Sequence, residues 1–376
     1  MAACPLRCWV EISLSRILEN FRGVRATVGP AVEVMGVVKS EAYGHGAVKV
    51  ARLLEAEGAG WLAVSNVNEG IALREAGIRS RILVMAGLLA AEREALFDHG
   101  LTPVVHVLAE LPELDRMAMA RREVLRYHLK LDSGMGRLGT LAGPADILKV
   151  VRESRHTRLE GLMTHLASPA DYTSPQTDSQ IDAFDGLLSA LRRAAVIPEW
   201  VHLSSSNPVA YGRTSAWRNL VRVGLALYGY ISPARWAAPR RILDVKPALS
   251  WKAAILAVKE VPEGARIGYG AMFRAPQPMR IAALAAGYAD GYPHQLSNRG
   301  KVIAGGELVP ILGAVSMDMM TIDISHAPHL KPGDTVTLLG CEGDASLDAQ
   351  QIAQTAGTIP YSVLCGIHPR VQKVYV

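Results

Sequence analysis

Between residues 30 and 230 the chain alternates short apolar runs with amphipathic stretches of helical period, and after about residue 240 the pattern changes. The runs are VMGVVK, WLAVS, RILVM, TPVVH, YHLKL, LEGLMTH, WVHLS and LVRVGL. Apolar runs rich in Val, Ile and Leu, separated by helical segments, are what parallel strands covered by crossover helices require. Eight is the number that closes a (β/α) barrel. A representative helix is AVKVARLLEAEG, where Ala47, Val50, Ala51 and Leu54 share one face and Gly58 supplies the stop. Past residue 240 the segments WKAAILAVKEV, IAALAAG, KVIAGG and TVTLLG are extended and bounded by Gly, Pro and Asp turns, with one helical stretch near DAQQIAQTAG. The predicted class is α/β: a (β/α)8 barrel over residues 1–240 and a mostly β domain over 241–376. The change falls in SPARWAAPRRI, and a first strand near residues 8–12 is placed to pack with the β domain.

A length of 376 residues suits a barrel of about 250 residues plus a smaller domain. With 49% hydrophobic and 20% charged residues the chain can bury a sizeable core, which excludes disorder. The net charge of +5 points weakly to nucleic acid, but Lys and Arg are scattered among acids in groups no longer than pairs such as Arg121 and Arg122. That is a solvated surface. No apolar run approaches the roughly 18 residues of a spanning helix, and MAACPLRCWVEI lacks the apolar core and cleavage site of a signal peptide. A cytoplasmic protein with no membrane or nucleic-acid partner is expected. Cys4, Cys8, Cys341 and Cys365 show no CxxC or Cys/His spacing, so neither a zinc cluster nor a disulfide framework is implied.

In a (β/α) barrel chemistry sits at the C-terminal strand ends. There the sequence places Lys39, Ser65, His106, Lys130, His165, the cluster Ser204, Ser205 and Ser206, and Arg222. One lysine at a strand end is usually a snorkelling side chain, and His165 or His202 alone is more often a satisfied core histidine. A convergent set is harder to dismiss. In VVKSEAYGHG an amine ends a buried strand, where partial desolvation favours the neutral nucleophile that forms a Schiff base, and an aromatic hydroxyl follows four residues later. SSSNPVAYG, after the seventh strand, offers hydroxyls and a helix start to an anion, in the loops that usually bind phosphate in this fold.

VVKSEAYGHG is similar to the pyridoxal phosphate signature of alanine racemases. Matching motifs recur along nearly the whole chain: LKLDSGMGRLG, THLASPAD, HLSSS, RVGLALYG, IGYGAMF, GYADGY and VSMDMMTID. The resemblance implies the family's barrel plus β domain, pyridoxal 5'-phosphate carried on Lys39 as an aldimine, and a homodimer with shared sites that interconverts L- and D-alanine for peptidoglycan. It implies that Lys39 moves the Cα proton on the D face and that Tyr269, from the partner chain, moves it on the L face. Tyr43 and Ser206 would hold the phosphate, with Tyr228 also in the cofactor site. His165 would lie beside the cofactor and help orient Tyr269. Arg222 would face the pyridine nitrogen with His202 behind it, its fixed charge keeping that nitrogen unprotonated. Lys130, carbamylated in the family, and Arg137 form a pair, Arg137 reaching the cofactor hydroxyl and the substrate carboxylate. Met317 would offer its backbone N–H to the same carboxylate, with Asp318 in support.

Departures from the family pattern cluster at substrate access: His294 and Ala314 where arginine is common, Ser316 for cysteine, Ser205 for asparagine, and Pro369 where a gate tyrosine is frequent. They leave room for serine or another small amino acid as substrate. Three rival readings follow from the residues. GMGRLG matches GxGxxG at Gly134, Gly136 and Gly139, but Glu160, the acid at the right distance, precedes a strand where a ribose partner ends one. Lys130, His165 and His202 could line a metal-dependent hydrolase, yet the first strand has no HxH pair and Arg222 would repel a metal. A non-enzymatic pyridoxal phosphate carrier, or a related decarboxylase, shares the barrel; the second domain with Tyr269 argues against the carrier, and the set of racemase motifs against the decarboxylase.

Overall fold

The computed structural model describes residues 6–235 and 238–376. Cys4 lies outside the described residues, as do Trp236 and Ala237 of the expected boundary segment. The chain forms two compact units: residues 17–42 with 47–246, and residues up to 16 with 43–46 and 247–376. It passes from the first unit to the second between Lys246 and Pro247, where the sequence reading put the change after residue 240.

In the first unit eight strands pair in parallel in chain order: Glu33–Val37, Trp61–Val64, Arg81–Val84, Thr102–Val105, Leu125–Lys130, Thr157–Met163, Trp200–His202 and Leu220–Val223. The eighth also pairs with the first, Glu33 opposite Leu220, and the ring closes where the Arg222 N–H donates to the Ser204 carbonyl at 3.1 Å. This is the (β/α)8 barrel. The second and fourth strands are buried at every position, as strands must be when the barrel interior lies on one side and helices on the other. The helix Ala47–Ala56 turns Val50, Ala51 and Leu54 inward, with Ala47 only half-buried.

One irregularity matters for the site. Between the fifth and sixth strands Tyr127 faces Leu159, but His128 faces Gly161, so Glu160 is an extra residue in a bulge. Glycine is required beside it, because a Cβ on Gly161 would stand 2.5 Å from the His128 ring.

The second unit is built on a nine-stranded sheet in the order Ala345–Leu347, Thr335–Glu342, Lys301–Ala304, Glu307–Leu312, Met320–Asp323, Met279–Leu284, Leu249–Val261, Cys8–Ile12 and Gln372–Tyr375. Leu249–Val261 also pairs with Thr335–Glu342, so the sheet folds back on itself. Over its first eight residues that strand alternates buried and half-buried positions, which puts one face in the core. Cys8–Ile12 runs antiparallel to it, Val10 opposite Trp251, and parallel to the last strand, Val10 opposite Lys373. Among the described residues no helix is long and apolar enough to cross a membrane.

Candidate active site

Lys39 follows the first barrel strand and opens a turn of unusual backbone. Ser40, Glu41, Ala42 and Tyr43 have φ of 51°, 54°, 53° and 54°, all left-handed and none of them glycine. At roughly 1–2 kcal/mol for each L-residue the turn stores about 4–8 kcal/mol. Strain of this kind concentrates at functional sites and lasts only where neighbours fix it. The Ala42 N–H donates to the Val38 carbonyl at 2.9 Å, and the Ser40 N–H donates to Glu69 Oε1 at 2.8 Å.

Across the barrel mouth Arg222 is buried among carbonyls. Its Nη1 donates to His202 Nδ1 at 2.9 Å and to the His202 carbonyl at 3.0 Å. Its Nη2 donates to the carbonyls of Thr164 and Leu203 and, at 3.2 Å, to His165 Nδ1. Nε donates to no group among the described residues, which leaves one directed N–H on a buried cation. Burial lowers the guanidinium to about 10, so it stays charged at neutral pH. Arginine only donates, so both rings accept on Nδ1 and carry their hydrogen on Nε2. Burial and the Arg222 charge keep both neutral, His165 down at about 3 and His202 well below the ordinary histidine value. His202 Nε2 then donates to His128 Nδ1 at 2.9 Å, which turns the His128 Nε2 hydrogen toward Glu160 Oε2, 3.7 Å away. That is too long for a hydrogen bond. Burial alone would raise the Glu160 carboxyl, but Arg81 and Arg126 bond it directly and hold it at about 2.

Burial, with Arg137 and Arg222 nearby, pulls the buried Lys130 ammonium down to about 8. Lys39 is close enough for its charge to bear on His165. Thus Lys39, Lys130, His165 and Arg222 come together as one basic cluster, with His202 beneath. His106 stands at its edge, its Nε2 donating to the Met85 carbonyl; burial and then Lys130 lower it to about 4. Ser204 does not join, because its hydroxyl donates to the Ser205 carbonyl, while the Ser65 N–H donates to Glu69. Ser206 Oγ accepts the N–H groups of Gly224 and Ala226, both at 3.2 Å, so its own hydrogen remains available to an anion. The helix that Ser206 opens is only Ser206–Ala210, too short to add much of a dipole. The buried Tyr228 hydroxyl donates to the Val37 carbonyl, two residues before Lys39.

Two rival readings fail on this geometry. Asp132 Oδ1 accepts the N–H groups of Gly134, Met135 and Gly136, so the GMGRLG loop has no free cradle for a pyrophosphate. Glu160 lies inside the sixth strand with its carboxylate saturated by arginines, and does not precede that strand as the sequence reading had it. His202 has a hydrogen-bond partner on each ring nitrogen, which leaves neither for a metal.

In the second unit Tyr269 sits at the tip of a two-stranded ribbon, Arg266–Ile267 against Phe273–Arg274, and is 78% exposed. The ribbon is pinned by close backbone packing: a Cβ on Gly313 would stand 2.6 Å from the Ile267 carbonyl oxygen. Asn298 adds to it, donating to the Met272 carbonyl at 2.7 Å and accepting the Gly313 N–H. Met317 is exposed, and its N–H donates to no group among the described residues. Asp318 and the buried Asp290 are joined by Arg370, at 2.8 and 2.7 Å. Tyr43 packs against Tyr361 with ring centroids 5.9 Å apart. His294 lies edge-on to Tyr288, and Pro369 is exposed in the turn before the last strand.

Two family profiles match the chain: alanine racemase, N-terminal domain, over residues 12–233, and alanine racemase, C-terminal domain, over residues 248–375. The chain belongs to the alanine racemase family. An alanine racemase of Halothermothrix orenii is 38% identical over 368 residues, 98% of this chain and 96% of the relative. The crystal structure of alanine racemase from D-cycloserine producing Streptomyces lavendulae superposes with a TM-score of 0.92 at 32% identity, over 99% of this chain and 98% of that one. That of Bartonella henselae, with covalently bound pyridoxal phosphate, gives 0.86 at 26% identity over 99% and 100%. Membership makes this chain a racemase enzyme, in a family that depends on pyridoxal phosphate.

For an alanine racemase the donor set here suits that cofactor: an amine ending the first strand, a serine hydroxyl with its hydrogen to give, and a buried cation with one free N–H. The sequence reading does not single out Glu69, His128, Tyr361, Asn298 or Arg370. His128 was reachable, since it lies two residues before Lys130 and so on the same face of its strand. The others depend on loops and on pairs distant in sequence.

Proposed function

We propose that the protein interconverts L- and D-alanine with pyridoxal 5'-phosphate attached to Lys39, as a cytoplasmic homodimer that supplies D-alanine for peptidoglycan. When bound, the cofactor supplies an electron sink that acidifies the substrate Cα–H. Lys39 would hold it and take or return the Cα proton on the D face, while Tyr269 from a second copy of the chain serves the L face. The Ser206 and Tyr43 hydroxyls would hold the phosphate, with Tyr228 lining the cofactor site. Arg222 would direct Nε at the ring nitrogen and, being charged, keep a proton off it; His202 and His165 hold Arg222 in that direction. Arg137 and the Met317 N–H would bind the substrate carboxylate, with Asp318 steadying the Met317 loop through Arg370. Lys130, with its lowered affinity for a proton, suits carbamylation, because only a neutral amine takes up carbon dioxide.

The observation that carries this reading is that the family match runs through both halves, and so includes both Lys39 and Tyr269. A chiral assay of purified protein with L-alanine, L-serine and larger amino acids tests it. D-Alanine should form fastest. Preferential turnover of serine would favour the second reading, a broader small amino acid racemase, which the altered residues His294, Ala314 and Pro369 support.

A further inference from the structure

The left-handed turn beside Lys39 needs something to hold it, and one carboxylate is placed to do so. Glu69 Oε1 accepts the Ser40 N–H at 2.8 Å and Oε2 accepts the Ser65 N–H at 2.6 Å. Ser40 is the first left-handed residue; Ser65 follows the second barrel strand. Glu69 is itself fixed, because it lies in the first turn of the helix Val67–Glu75 and its N–H donates to Asn66 Oδ1 at 3.0 Å. A glutamate at this position in a plain capping box reaches back to the N–H of the cap residue. This one passes Asn66 and joins two different strands instead. Elsewhere on the turn, the Glu41 carboxylate accepts the Ala47 N–H only at 3.4 Å.

We infer that Glu69 is a positioning residue for Lys39: by accepting the Ser40 and Ser65 N–H groups it holds the left-handed turn that sets where the lysine amine points. The inference rests on the proposed attachment of the cofactor to Lys39. Without Glu69 the turn loses the bond at its first residue, its backbone relaxes toward ordinary φ, and the amine moves with it. Glycine takes positive φ without cost, so a glycine in the turn should remove the need for the carboxylate.

The test compares wild type, Glu69→Ala, Glu69→Gln, Ser40→Gly and the Glu69→Ala, Ser40→Gly double variant. Four quantities are read: affinity of the apo-protein for pyridoxal phosphate, the residue on which borohydride fixes it, kcat and KM for alanine, and the thermal midpoint. Glu69→Ala should bind the cofactor about tenfold more weakly, on the scale of one lost charge-assisted hydrogen bond, and kcat should fall while KM holds. Glu69→Gln keeps one accepting oxygen and should fall between; being isosteric, it also serves if the alanine variant does not fold. Ser40→Gly in the Glu69→Ala background should restore cofactor affinity and kcat to near wild type. The inference is overturned if Glu69→Ala binds and turns over like wild type, or if its losses follow the thermal midpoint and the glycine does not rescue them. Should borohydride fix no cofactor on Lys39 in the wild type, the proposed attachment fails first, and the wild-type arm shows it before any variant is read.

Discussion

Among the described residues Arg222 is a permanent cation with no carboxylate against it, faced by carbonyl oxygens and by the accepting Nδ1 atoms of two histidines. Arg222→Glu would set a carboxylate among those oxygens and invert the charge offered to a ring nitrogen. Racemisation should fall by about 10²-fold, with more of the substrate lost to keto-acid side product, as expected when an electrostatic partner of the reacting system is reversed. Arg222→Lys keeps the charge and should retain more activity than Arg222→Glu; equal turnover in wild type and Arg222→Glu would mean Arg222 does not face the reaction. A second residue-scale expectation concerns acid. His106, His128, His165 and His202 are all held below the ordinary histidine value, chiefly by burial. Below about pH 6.5 the unfolded chain therefore binds protons that the folded one refuses, and stability falls as pH falls. His106, lowered to about 4, contributes to the slope between pH 6.5 and 4. His106→Leu should flatten urea-midpoint profiles in that window and leave them unchanged above pH 7.5.

At the level of elements, the sixth strand shows how one irregularity shapes the barrel interior. The bulge brings in Glu160 as an extra residue, and Gly161 clears space for the His128 ring. Gly161→Ala should destabilise the protein by about 1–3 kcal/mol in urea unfolding, since the added methyl has nowhere to go in a packed core. A change within 0.5 kcal/mol, the usual range for surface substitutions, would show that the His128–His202 pair can move aside. The same strand marks the limit of what could be read from the residues. All eight apolar runs became barrel strands because continuous burial on both faces writes itself into composition. The amine after the first run and the arginine of the last were visible for the same reason: polarity at the end of an apolar run stands out. Glu160 lies inside the sixth strand and not before it, because that strand opens on Thr157 and Arg158, polar residues that carry no apolar signal. Glu69 was passed over because its partners are backbone N–H groups, and those leave no mark in side-chain chemistry. The left-handed turn was equally hidden, since Ser40, Glu41 and Ala42 have no preference for positive φ.

For the whole molecule, the proposal puts Lys39 and Tyr269 of each reaction site on different copies of the chain. Lys39→Ala and Tyr269→Ala homodimers should each be nearly inactive. Mixed under subunit exchange, about half the dimers are hybrids with one complete site, so roughly a quarter of wild-type activity should return if the dimer is symmetric and closed. Exchange verified by mass spectrometry with no recovery would mean both bases come from one chain. The strand Cys8–Ile12 carries a different consequence, one of timing. It is made before both of its neighbours in the sheet, Leu249–Val261 and Gln372–Tyr375. At about 5–20 residues per second, a ribosome takes roughly 12–50 s to add the intervening ~240 residues. For all of that interval the nascent chain carries an apolar β-segment without its first partner, and Gln372–Tyr375 follows more than a hundred residues later still.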